Sequence, residues 1–128
     1  MDIQSKTREK ILEARINSKM KSRVVIADKK LKNVFENLKD SKTEDRKLYE
    51  RLNRAFDDLA DDSFCGIQIP KKQIPKEYIK KYGIDNLWKY NLPNAWRLIY
   101  SVVGDNVTVI SVVIEWMDHK KYERRFGY

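Results

Sequence analysis

Arg97, His119 and Tyr122 are the side chains of this sequence best suited to chemistry on a phosphodiester. Arg97 interrupts the β-rich run Trp96-Arg97-Leu98-Ile99-Tyr100-Ser101-Val102-Val103, and His119 and Tyr122 stand three residues apart in Asp118-His119-Lys120-Lys121-Tyr122-Glu123-Arg124-Arg125-Phe126. Metal-free RNA cleavage uses the substrate's own 2′-hydroxyl as nucleophile. The enzyme must remove that proton, hold a doubly negative phosphorane and protonate the departing 5′ oxygen. His119 is the only histidine, and an imidazole titrates near neutrality, contributing about 10²- to 10⁴-fold when correctly placed. Its plain alternative is a surface histidine at a helix start. Tyr122 shares a helical face with His119, so the spacing lets both reach one phosphate; it donates a proton, stacks a base, or simply packs on Phe126 one turn later. A guanidinium fork grips phosphate better than an ammonium does, and an arginine inside a strong strand must either project onto a wet face or be costly to bury. An ion pair on the sheet is the other reading of Arg97. This chemistry needs no cofactor and no metal.

Charge supports a polyanionic partner. The chain has 128 residues with 27 Lys plus Arg against 19 Asp plus Glu, a formal net charge of +8, although solubility alone also favours such a surplus. Lys71, Lys72 and Lys89, near strands, and Arg124 and Arg125, closing the last helix, are candidates to neutralise flanking phosphates; ordinary solvated cations look the same in sequence. The single cysteine, Cys65, excludes an internal disulfide and a multi-cysteine zinc site. No apolar run is long enough for a bilayer, and charges stand where a signal peptide needs apolar residues. A soluble protein of the cytoplasm is the expectation.

These side chains have to be positioned by an α+β domain. Residues 1–22 read as a basic helical extension with Leu12, Ile16 and Met20 one turn apart. From residue 23 to 128 the pattern is that of one domain. Val24-Val25-Ile26-Ala27 is a strand, Asp28 an N-cap, and Leu31, Val34, Phe35 and Leu38 follow at helical spacing. Ser41 and Glu44 form a capping-box pattern ahead of Leu48, Leu52, Ala55, Phe56 and Leu59, which predicts two antiparallel helices. Phe64 to Ile69 reads as a short strand closed by Pro70, and Pro75 to Gly83 brackets a small helix. Leu87 to Leu92, Trp96 to Val103 and Val107 to Trp116 form a meander with turns at Pro93-Asn94-Ala95 and Gly104-Asp105-Asn106. As far as Ile114 the third of these strands is apolar on both faces apart from Thr108 and Ser111, which makes it interior. The expected architecture is an antiparallel-rich twisted sheet of about four to five strands. A helical hairpin packs on one face, the other face stays available, and a short helix ends the domain.

The stretch Trp88-Lys89-Tyr90-Asn91-Leu92-Pro93-Asn94-Ala95-Trp96-Arg97-Leu98-Ile99-Tyr100, followed by the next strand and His119-Lys120-Lys121-Tyr122, resembles the RelE/ParE superfamily of toxins from toxin–antitoxin modules. The resemblance covers roughly residues 23 to 126. It implies a small ribonuclease-like fold that, in the RelE branch, enters the ribosome and cuts mRNA, and that a cognate antitoxin silences by wrapping around it. Arg97 matches the family arginine that steadies the scissile phosphate. A monomeric toxin or a toxin–antitoxin hetero-oligomer follows. Members of the ParE branch inhibit DNA gyrase on the same fold, and a non-cleaving RNA- or ribosome-binding relative is a further alternative. The histidine and the lysine-rich segment from Pro70 to Asn86 depart from the best-known RelE pattern.

Overall fold

The computed structural model describes residues 21–104 and 108–127. The basic helical extension expected at the N-terminus therefore falls outside the described residues up to Met20, and Lys21 and Ser22 already belong to the first strand. The turn at Gly104-Asp105-Asn106 lies outside them beyond Gly104.

Strand β1 (Lys21–Ile26) leads to helix α1 (Lys29–Leu38), whose N-cap Asp28 accepts the Leu31 N–H at 2.7 Å. Helix α2 (Thr43–Asp61) runs back across the sheet. It does not start with the expected capping box: Lys42 occupies the N-cap without a side-chain bond, and the Ser41 hydroxyl donates to the Asn37 carbonyl instead. Satisfying the end of α1 has taken the serine away from the start of α2.

Strand β2 is only Ile67–Gln68. The longer strand expected from Phe64 is prevented because Phe64 turns in against Trp88 and the Gly66 N–H donates to the Tyr100 hydroxyl rather than to a neighbouring strand. A 3₁₀ turn (Lys71–Gln73) and helix α3 (Lys76–Tyr82) follow, α3 stopping at Gly83 in the left-handed conformation as the glycine position predicts. Then come β3 (Trp88–Leu92), β4 (Trp96–Gly104), β5 (Thr108–Met117) and α4 (His119–Phe126), the last capped by Asp118, which accepts the Lys121 N–H at 2.9 Å. At the β3–β4 turn Asn94 and Ala95 both have positive φ, the left-handed conformation that matches hairpin turns to strand twist.

The sheet order is β1-β5-β4-β3-β2, with β1 parallel to β5 and every other pair antiparallel. The α+β class, the five strands, the helical hairpin and the short terminal helix are as the sequence predicts, and β5 is interior. Leu98, Tyr100 and Val102 pack against Leu52, Ala55 and Leu59 of α2 on the hairpin face.

The second face is not left open. Ile99, Ile114 and Met117 form a second core with Tyr78 of α3 and Tyr122 and Phe126 of α4. The two short helices carry too many aromatic side chains on one side to stay in solvent, and they cap part of that face. A register shift between β4 and β5 decides what α4 meets: Ile99 pairs with Glu115, but Tyr100 pairs with Val113. Ile114 is the extra residue, and past this bulge Trp116 stays on the hairpin face while Glu115 turns to the second face.

Candidate functional site

Lys89 on β3, Arg97 on β4 and Tyr122 on α4 meet on the second face. Alternation along β3 and β4 turns Lys89 and Arg97 away from the hairpin core, and the Tyr122–Phe126 side of α4 is what that helix lays on the sheet. Lys89 Nζ donates to the Tyr122 hydroxyl at 3.1 Å and lies 5.1 Å from its ring centre; the Arg97 guanidinium carbon lies 5.6 Å from the same ring. Tyr122 is only 3% exposed and stacks on Phe126 at 4.6 Å between ring centres. The packing on Phe126 that the sequence offers for Tyr122 is present, and its phenol faces the Lys89 ammonium.

Among the described residues neither Lys89 nor Arg97 forms a salt bridge, whereas Lys81 pairs with Asp28, Lys121 with Glu115, and Arg125 with Glu77 and Glu115. Among the described residues Arg97 Nη1 donates only to the Trp96 carbonyl at 3.2 Å, and its buried Nε has no acceptor there. A buried N–H of a permanent cation is rarely left without a partner. The arrangement has capacity for an anionic oxygen.

His119 is placed differently. It follows Met117, the residue paired with Arg97 across the sheet, by two positions, so its backbone stands at the same end of the sheet. Its side chain is 53% exposed and its Nε2 lies 2.9 Å from Glu123 Oε1. His119 and Tyr122 therefore do not share a surface as the i, i+3 spacing suggests, because α4 docks with Tyr122 turned inward and His119 at the rim. Lys71 and Lys72 are exposed in the 3₁₀ turn after β2. Arg124 is exposed on α4, and Arg125 faces α3 rather than the Lys89–Arg97 cluster.

A second polar centre was not legible as one in sequence. Glu115, its side chain 19% exposed, accepts hydrogen bonds from Tyr78 Oη and Lys121 Nζ, both at 2.6 Å, while Arg125 Nη2 lies 3.8 Å away and Arg125 Nη1 reaches Glu77 at 2.5 Å. The available signal was a lone carboxylate in a strand whose other polar residues are the uncharged Thr108 and Ser111. A groove of about 590 Å³ opens here, lined by Asp28, Tyr78, Tyr82, Glu115 and Arg125 among others, and a cleft of about 350 Å³ adjoins Lys121 and Arg124; neither is lined by Arg97, His119 or Tyr122.

Burial by itself raises the Glu115 carboxyl, but the hydrogen bonds from Lys121 and Tyr78 and the charges of Lys121 and Arg125 outweigh it and hold the group below its ordinary value. Burial, then the carboxylate beside it, push the Tyr78 phenol far up. An anion held by two donors and a nearby guanidinium is a poor base, so this centre is structural despite its groove. A pH prediction follows. The stability Glu115 contributes is complete above the ordinary glutamate value of 4.5 and is lost as pH falls through the lowered folded-state value. The stability gap between wild type and Glu115→Gln, measured by urea unfolding, is expected to narrow as pH falls below 4.5.

No helix among the described residues is long and apolar enough to cross a membrane, and no metal-binding cluster of His, Cys, Asp and Glu occurs among them. No known protein family, no curated protein and no solved structure matches the chain.

Proposed function

We propose that the protein is the toxin of a toxin–antitoxin module, a RelE-like endoribonuclease of the cytoplasm that cleaves ribosome-associated mRNA and is held inactive by a cognate antitoxin. The observation that carries this is the pair of cations, Lys89 and Arg97, which have no carboxylate partner among the described residues, with a buried guanidinium N–H lacking an acceptor. The order of strand, helical hairpin, meander and short helix supports it as well.

In the proposed reaction the scissile phosphate sits on Arg97 and Lys89, which stabilise the phosphorane. The 2′-oxygen loses its proton to a base and attacks phosphorus, the bond from phosphorus to the 5′ oxygen breaks, and that oxygen takes up a proton. A 2′,3′-cyclic phosphate and a 5′-hydroxyl result. His119, at the rim, is the group that exchanges protons with solvent once it leaves Glu123. Tyr122 orients Lys89.

Two observations favour a second reading, a relative that binds RNA or ribosomes without cutting. His119 is engaged by Glu123, and Tyr122 is buried. Incubating the purified protein with end-labelled mRNA, free and ribosome-bound, in the presence of EDTA tests the proposal. Cyclic-phosphate ends are the expected product. Intact RNA, together with binding that falls steeply with salt, identifies the non-cleaving relative.

A further inference from the structure

We infer that Glu115 is the positioning residue for the Lys89–Arg97–Tyr122 cluster, acting through the docking of α4; the link to RNA chemistry, though not the docking itself, rests on the function proposed above. Helix α4 has eight residues, too few to be stable alone, so its place depends on what it packs against. Two sets of contacts, on neighbouring flanks of the helix, pin it to the sheet. On one flank Tyr122 lies against Lys89 and Arg97. On the other, Lys121 and Arg125 reach the carboxylate that the β5 bulge has turned to this face.

Lys121 and Tyr122 are adjacent in sequence. A rotation of α4 that loosens the Lys121 ammonium from Glu115 also turns the Tyr122 ring away from Lys89, so the carboxylate sets the angle at which the phenol is presented. Tyr78 fixes the carboxylate in turn: its hydroxyl donates to Glu115 while its ring lies 6.3 Å from that of Phe126. Arg125 closes the arrangement by joining Glu115 to Glu77 on α3. Each oxygen of Glu115 thus has an assigned partner, Oε2 the phenol of α3 and Oε1 the cations of α4.

Glu115→Gln keeps the shape and an acceptor for Tyr78 but removes the charge that holds the cations. Loss of a charge-assisted bond corresponds to roughly ten- to hundredfold in a local opening equilibrium. Hydrogen exchange is expected to show α4 amides opening faster by about that factor in Glu115→Gln, with α2 amides unchanged, and Glu115→Asp to recover part of the protection. Coupling between Lys89→Met and Tyr122→Phe, measured as a double-mutant cycle in denaturant unfolding, is expected in wild type and to vanish in the Glu115→Gln background. Unchanged α4 exchange, or coupling that survives the substitution, overturns the inference, as does acceleration spread evenly over all helices, which marks a general stabiliser. Lys121→Gln approaches the same contact from the partly exposed end and gives the same readout should Glu115→Gln not fold. Wild-type protein that leaves mRNA intact overturns the ribonuclease reading alone; if it cuts, Glu115→Gln lowers kcat with little change in KM.

Discussion

Arg97→Ala is expected to lower RNA cleavage by about 10²- to 10³-fold, the range for removing a preorganised donor to developing oxyanion charge, while the protein stays folded. The side chain is half-buried, and among the described residues its hydrogen bond goes to the carbonyl of the neighbouring Trp96, so alanine orphans no buried partner among them. Folding and function separate cleanly at this position. Arg97→Lys keeps the charge but not the planar fork, and its activity is expected to fall between those of alanine and wild type. Cleavage of labelled mRNA, with circular dichroism as the folding control, measures both. Full activity in Arg97→Ala removes the cluster from consideration as the site. His119→Ala provides the comparison: in the cleaving protein its loss reaches about 10²-fold or more, whereas in a binding-only relative it leaves RNA affinity unchanged.

Gly66→Ala is expected to be the most damaging small substitution. A Cβ on Gly66 would lie 2.5 Å from the Tyr100 hydroxyl and 2.6 Å from the Lys89 carbonyl oxygen. The second contact is with backbone, so no rotamer relieves it. Tyr100 meanwhile holds this corner together, accepting from the Gly66 N–H at 3.1 Å and donating to the Ser63 carbonyl at 2.9 Å. The strain of overpacking is about 3 kcal/mol, enough to lower the melting temperature by on the order of 10 °C in a domain of this size. Thermal unfolding measures it. Combining Gly66→Ala with Tyr100→Phe removes the hydroxyl clash but leaves the carbonyl in place, so stability is not expected to return. Because the crowded carbonyl belongs to Lys89, the same substitution also displaces the ammonium that meets Tyr122, and RNA affinity is expected to fall with stability.

Local signals in the sequence were enough for α1, α3, α4 and the three-strand meander. Asp28 and Asp118 cap their helices, Gly83 ends α3, and alternation along β4 separates Leu98 and Tyr100 from Arg97 and Ile99. The same alternation turns Arg97 away from the hairpin face. Where local preferences competed, sequence alone misplaced the element: Ser41 serves the end of α1 instead of the start of α2, and Gly66 surrenders its N–H to a phenol from a strand 34 residues away.

The sequence by itself thus determined the α+β class and the order of the elements. Those properties follow from periodicity, capping and turn chemistry, all read within a few residues of chain. Tertiary structure alone decided that α3 and α4 close part of the second face, that Tyr122 is buried while His119 stays at the rim, and that Lys89 joins Arg97 without a carboxylate partner among the described residues. It also decided the role of Glu115, since one extra residue in β5 reverses which side chains face α4. A bulge depends on how two strands register against each other, and helix docking depends on which side chains meet across distant segments; neither is encoded in the spacing of residues along one element.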